Sequence, residues 1–282
     1  VAIAIGADPA TMLAAAMPLP ETVSELSFSG LLRGERPRVA AAVSVPLMVP
    51  ADAEIVVEGF VSPTETAPEG PYGDHTGYYN QVEEFPVMRV TAITTRPDPL
   101  YVSTFTGRPP DEPSVIGEAL NELALPLIRQ QIPEITDLYF PPAACSYRLA
   151  IMAIRKRYPG QARRVMMALW GMLPQFSYTK GIVAVDEDID VRSGADVLWA
   201  ISTRADPSRD LMLLDRTPID YLDFASPEPG LGGKLGIDAT TKIAAETHRE
   251  WGRPLAMSAN VSARVDGLWP RLGLAMNNGG KK

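Results

Sequence analysis

The chain has 282 residues, 46% of them hydrophobic, and a formal net charge of -8. It is past the size at which a single core stops growing, so a large interior divided between two domains is expected. The negative balance repels phosphate backbones and anionic lipid surfaces, and no cluster of lysines and arginines offsets it, so nucleic acid is not an expected partner.

A single cysteine, Cys145, leaves no internal disulfide framework and fits a reducing compartment, so a cytoplasmic setting is expected. No stretch reaches the roughly eighteen uncharged apolar residues of a membrane span. The opening VAIAIGADPATMLAAAM lacks the basic start of a signal peptide and is interrupted by Asp8 and Pro9. Because it begins at Val and reads straight into a strand-like run, sequence upstream of it is expected.

Taken in chain order, residues 1–5 read as a buried strand and Ala10 to Ala16 as a helix. Between residues 38 and 106 the runs VAAAVSVPLMV, EIVVEGFV, FPVMRVTAITT and LYVSTFT, separated by proline and glycine, predict an antiparallel sheet or barrel. Beyond RPPDE, at residues 108–112, the pattern changes. A helix in EPSVIGEALNELALPLIRQQI precedes strands ITDLYF and YRLAIMAI, a helix in PGQARRVMMALWGM, a strand GIVAVDE and a helix in SGADVLWAISTR. This alternation predicts an α/β domain with a mainly parallel sheet. Residues 226–254 are rich in glycine and proline with little periodicity, and NVSARVDGLWPRLGLAM reads as a closing amphipathic helix despite Pro270. The expected organisation is residues 1–110, 111–225 and 226–282.

The densest chemistry lies in EGPYGDHTGYYN, residues 69–80. Glycines at 70, 73 and 77 permit unusual backbone angles and Pro71 stiffens the path, so the loop is expected to hold Glu69 and Asp74 in place, as general acid catalysis requires. An ordinary hairpin turn is the plainer reading. His75, next to Asp74, reads either as a proton shuttle or ligand or as a histidine satisfying a local hydrogen bond. Glu25, in SELSFSGLLRG, reads first as an acid facing solvent. The stretch GLGGKLG, residues 230–236, is a glycine-rich loop with Lys234 inside it that could approach a phosphate, although it lacks the P-loop spacing. Cys145 has no histidine near it and reads as a buried structural cysteine. The acidic run VDEDIDVRSGAD reads as a solvated turn capping the next helix, and Met166, Met167 and Trp170 read as core.

The blocks SELSFSGLLRG, EGPYGDHTGYYN, TGRPPDEPSVIGEALNE, CSYRLAI, VLWAISTR, PIDYLDFASP and GLGGKLGIDAT occur in the order found in the UbiD family of decarboxylases, which the chain resembles over essentially its whole length. The resemblance implies an α+β fold: part of a split β-barrel flavin-binding domain, followed by an α/β domain and a C-terminal oligomerisation helix. It implies prenylated FMN as cofactor, held through Mn2+ and a monovalent cation (K+). Its catalytic pair is matched by Glu69 and Asp74, its metal-binding glutamate by Glu25, and a lysine near the flavin, more loosely, by Lys234. The family's arginine, and the asparagine and histidine that complete the metal shell, fall upstream of residue 1, so the chain resembles the larger C-terminal part of such an enzyme.

An aspartate at position 74 is the choice of the ubiquinone branch. The implied reaction is decarboxylation of 3-polyprenyl-4-hydroxybenzoate to 2-polyprenylphenol and CO2, with a flavin prenyltransferase supplying the cofactor. A homohexamer and peripheral association with the inner membrane are further expectations. Two other readings stand beside it: a non-catalytic fragment serving as an oligomerisation scaffold, and a glycoside hydrolase using the paired acids.

Overall fold

In the computed structural model, which describes residues 1–272, strand β1 (Ala2–Ile5) leads to Asp8. The Asp8 carboxylate accepts from the backbone N–H groups of Ala10 at 3.0 Å and Thr11 at 3.3 Å, starting helix α1 (Pro9–Ala16). Helix α2 (Glu25–Arg33) stops at Gly34, whose φ of 72° is the left-handed conformation that ends a helix at little cost for glycine. A short hairpin of β2 (Val39–Ala41) and β3 (Met48–Pro50) precedes the long strands β4 (Ile55–Glu69) and β5 (Glu83–Thr95).

β1, β4 and β5 form an antiparallel sheet in the order β1-β4-β5. At the break in register after Glu58, a Cβ on Gly59 would lie 2.2 Å from the Arg89 carbonyl oxygen, so only glycine lets the strands close there. Glu58 is buried and accepts from the N–H groups of Val43 at 2.8 Å and Ser44 at 2.5 Å, pinning the chain between β2 and β3 to the sheet.

The split barrel implied by the resemblance is not seen: among the described residues this sheet is open and no closed barrel forms. β1 is a strand but not a buried one, since it pairs on one side only and leaves Ile3 45% exposed. LYVSTFT is not a strand either. Its alternating apolar residues mimic one, but they pair with no neighbour and stay exposed.

Asp111 and Ser114 form a reciprocal capping box, with N–H to oxygen distances of 3.1 and 2.8 Å, that opens helix α3 (Glu112–Gln131). There follow β6 (Ile135–Tyr139), β7 (Leu149–Ile154), α4 (Gln161–Met172), β8 (Gly181–Asp186), α5 (Gly194–Arg204), the single turn α6 (Pro207–Asp210), β9 (Leu211–Pro218) and β10 (Leu231–Ala239).

The second sheet has the order β6-β7-β8-β10-β9. Only the three central strands run parallel; β6 and β9 are antiparallel edges, so the sheet is mixed rather than mainly parallel. Side chains alternate between two cores, as a sheet covered on both faces requires. Ala150, Met152, Ile154, Ile182 and Ala184 pack with Leu120 and Ile128 of α3 and Val165 and Leu169 of α4. Ile151, Ala153, Val183 and Val185 pack with Val197 and Ala200 of α5.

These elements belong to one compact unit, Val1–Glu246. A second unit begins at Thr247 and holds helix α7 (Ala259–Asp266) and a 3-10 turn at Trp269–Leu272. The expected closing helix is therefore shorter than its sequence pattern, breaking before Pro270, and its last residues lie outside the described ones. Among the described residues no helix is long and apolar enough to cross a membrane.

Candidate active site

The loop between β4 and β5 begins where Glu69 faces Glu83 across the hairpin. It is held by its own backbone: Asp74 N donates to Tyr78 O at 3.1 Å, Gly77 N to Asp74 O at 2.9 Å, and Asn80 N to Tyr72 O at 3.0 Å. Tyr72 N donates to Asn80 Oδ1 at 2.6 Å. Gly77 has φ of 82° and packs against the Arg108 backbone, which a larger residue could not do without displacing it. The loop is thus a fixed turn.

Within it the two acids differ. Glu69 is exposed. Asp74 is half-buried; its Oδ1 accepts from the His75 backbone N–H at 2.6 Å and lies 2.7 Å from His75 Nδ1. The other ring nitrogen, His75 Nε2, lies 3.8 Å from Asp220 Oδ2. Asp220 in turn accepts from Arg148 Nη2 at 2.9 Å. Arg148 Nη1 is 3.8 Å from the buried Asp223, which pairs with Lys180 at 2.7 Å.

A line of alternating charge therefore runs from the loop into the second sheet. Two further contacts secure the same junction: Tyr78 packs edge-on against Phe224 with ring centroids 6.1 Å apart, and the Tyr221 hydroxyl donates to Glu83. That carboxylate raises the Tyr221 phenol above its ordinary value.

Polar atoms without partners mark the junction as well. Thr76 Oγ1 and Arg148 Nη1 are buried and make no hydrogen bond among the described residues. Buried polar groups are otherwise nearly always paired, so these two are open to a polar group from outside. A cavity of about 400 Å3 lies between the loop and the 220–229 segment, lined by Tyr72, Asn80, Glu83, Tyr221 and Phe224. A second, of about 450 Å3, is lined by Thr76, Tyr78, Arg108 and Cys145.

Of the other sequence-derived candidates, Lys234 borders this line, sharing a cavity of about 580 Å3 with Arg148 and Lys180, while Glu25 is not part of it. Glu25 is exposed in the first turn of α2, and among the described residues no three acids, histidines or cysteines gather to hold a metal ion. The described residues alone do not fit a metal centre. GLGGKLG is not a loop: all of it but Gly230 is the start of β10, an interior strand of the second sheet, which therefore continues past residue 225 to Ala239.

Lys234 is buried there. Its Nζ donates to the carbonyls of Ser177, of Thr179 at 3.2 Å and of Pro218 at 3.0 Å. Burial pushes the ammonium down to about 8, and with its three hydrogens committed to carbonyls it has none left for a phosphate.

Cys145 is half-buried, with φ of 55°. Met167 is 52% exposed while Met166 and Trp170 are core. The acidic run does more than turn: Asp186 and Asp188 clamp the buried Arg204 at 2.7 and 2.6 Å.

Arg148, Lys180, Asp220 and Asp223 carry the site's electrostatics and were not singled out by sequence. CSYRLAI and PIDYLDFASP were visible as blocks, but Arg148 and Asp220 stand 72 positions apart and nothing local joins them.

Two family models match the chain: the 3-octaprenyl-4-hydroxybenzoate carboxy-lyase Rift-related domain over residues 1–109 and the C-terminal domain of the same enzyme over residues 114–239. Among solved structures, the chain is similar to the UbiD-class enzyme HmfF from Pelotomaculum thermopropionicum in complex with FMN. The identity is 29% over 94% of this chain and 58% of that one, with a TM-score of 0.75. An evolved dimeric form of HmfF in complex with prFMN matches at 29% identity over 92% and 55% of the two chains, with a TM-score of 0.69. The closed form of vanillic acid decarboxylase from Sedimentibacter hydroxybenzoicus is 26% identical over 96% of this chain and 57% of that one, with a TM-score of 0.89. The chain thus spans little more than half the length of these solved relatives.

Proposed function

The chain belongs to the UbiD family of carboxy-lyases, and from that premise we propose that it is the part of a prenylated-FMN-dependent decarboxylase that supplies the proton-donating loop. The substrate proposed is 3-polyprenyl-4-hydroxybenzoate, converted to 2-polyprenylphenol and CO2 in ubiquinone biosynthesis. The flavin-bound relatives and the aromatic acid named for one of them support this class of chemistry. The single observation that carries the reading is Asp74: a half-buried carboxyl on a fixed turn, with one oxygen held by His75.

Loss of CO2 from an aromatic acid leaves an electron pair on the ring carbon, and the flavin, when bound, supplies the sink for it. The chain's own task is to return a proton to that carbon. Asp74 must carry that proton when CO2 departs, and the turn between Gly73 and Tyr79 keeps it from swinging away. Glu69, exposed at the loop's entry, is proposed to orient the network through the arginine that the family places outside this chain. Glu25 is proposed to give one carboxylate to a Mn2+ site completed from elsewhere. Lys234 acts toward a flavin through its charge alone, since its hydrogens are committed.

The test uses the complete gene product, made together with a flavin prenyltransferase, and measures CO2 release from a prenylated 4-hydroxybenzoate. Asp74→Asn should lower turnover by about 10²-fold or more, the usual contribution of a positioned acid. Equal turnover in parent and variant would remove Asp74 from the reaction.

A further inference from the structure

The two oxygens of Asp74 are not equivalent. Oδ1 takes both His75 contacts, the backbone N–H at 2.6 Å and Nδ1 at 2.7 Å, while Oδ2 has no protein partner among the described residues. A carboxyl free to rotate about its terminal bond would present either oxygen. Here the imidazole commits one and leaves the other without a protein partner among the described residues.

The ring itself is held at its far edge. Nε2 faces Asp220 Oδ2 at 3.8 Å, an electrostatic contact rather than a hydrogen bond, and that oxygen is fixed by Arg148 Nη2 at 2.9 Å. Nδ1 is 2.7 Å from a carboxyl oxygen, so one proton lies between them; with the deliverable proton of Asp74 on Oδ2, Oδ1 can only accept, and the ring donates through Nδ1–H. The groups facing the ring are thus Asp74 on its own loop and Asp220 on the 220–229 segment, the latter backed by Arg148, and Asp223 with Lys180 lies behind Arg148. His75 is 19% exposed in its side chain and Asp74 15%, so water competes weakly for either.

We propose that His75, clamped between Asp74 and the Asp220–Arg148 pair, is the positioning residue that makes Oδ2 of Asp74 the proton-delivering oxygen. This rests on the reading of Asp74 as the proton donor. It deepens that reading by tying the donor to the second sheet: Arg148 and Asp220 act on the proton transfer through the imidazole. A locked carboxyl keeps its proton in line with the ring carbon, and misplacement by about 1 Å is enough to cost about 10²-fold in rate.

The experiment has two arms, both on the complete gene product. With histidine 15N-labelled, the signals that vanish in His75→Phe identify the ring nitrogens of His75, which can then be followed by 15N NMR without any turnover. The parent should show a single locked form protonated at Nδ1, and both Asp74→Asn and Asp220→Asn should change its nitrogen shifts. In the second arm, with the flavin loaded, His75→Phe should lower kcat by about 10²-fold with KM nearly unchanged. His75→Asn, whose amide N–H sits where Nδ1 does, should recover most of that loss.

An imidazole that exchanges freely between tautomers and ignores both aspartate changes would overturn the proposal whether or not CO2 is released. So would a His75→Phe enzyme with the parent's kcat. A locked imidazole in a parent that releases no CO2 overturns the decarboxylase reading instead.

Discussion

The two sheets use β-structure in opposite ways. β8 buries Ile182, Val183, Ala184 and Val185 in succession, with helices on both sides, whereas no residue of β5 is buried and Val90 and Ile93 are more than half exposed. The second sheet is where the apolar surface leaves water and so where the stability of the first unit is concentrated. The first carries the loop with the chemistry. The loop's own backbone hydrogen bonds fix its turn, and the 220–229 segment ties that turn to the second sheet through Asp220, Tyr221 and Phe224.

The contrast is sharpest between two phenylalanines. Phe176 is fully buried and stacks on Phe140 with ring centroids 5.7 Å apart, while Phe60 in β4 is 56% exposed. Phe176→Ala should cost about 3–5 kcal/mol by urea unfolding. Phe60→Ala should stay within about 0.5 kcal/mol. Similar losses at the two positions would mean that both sheets share one core.

Arg148 tests the junction. It is 15% exposed in its side chain and serves both Asp220 and Asp223. Removing one partner of such a pair strands the others, so Arg148→Met should cost about 3 kcal/mol, the low end of the range for buried pairs because water reaches part of this one. Amide hydrogen exchange in residues 70–82 should speed up more than in β7 or β8. If the loop keeps its protection, the line of charges does not hold it.

What could be read from sequence follows the same division. Helices α3 and α5 announce themselves through Asp111 with Pro113 and through Ser193, because caps are local. Glycines and proline around Asp74 likewise declare a fixed turn. β10 does not declare itself: four of the residues 230–236 are glycine, which reads as a loop. The reason lies in a neighbour distant in sequence, since a Cβ on Gly236 would sit 2.7 Å from the sulfur of Met166 in α4, and the strand must be thin for the helix to lie on it. The Asp220–Arg148 contact is hidden for the same cause, and LYVSTFT misleads because alternation shows that a segment could be a strand, not that a partner strand is present.

A smaller effect separates the sheets by alkaline titration. Burial lowers Lys234, in the second sheet, from 10.5 to about 8. Between those values the unfolded chain binds more protons than the folded one, so stability rises as pH climbs from about 8 toward 10.5. Lys234→Met should flatten that rise in a series of urea melts. A rise that persists in the variant must come from another group.

The smallest effect belongs to the first sheet and to acid. Glu58 is held below the usual glutamate value by the N–H groups of Val43 and Ser44, which outweigh the opposing effect of burial. A carboxylate depressed in the folded state contributes stability that is present above its unfolded value and lost as pH falls through the folded one. The loss should therefore begin below about 4.5, and because Glu58 joins only the β2–β3 connection to β4, it should be local. Hydrogen exchange should quicken in residues 40–49 while β7 and β8 stay protected. Glu58→Gln should reproduce this at neutral pH, because one carboxylate oxygen becomes an NH2 group facing a backbone donor. If acid instead opened β8 together with the hairpin, the two sheets would be a single cooperative structure, and the loop's dependence on the junction would be a property of the whole unit.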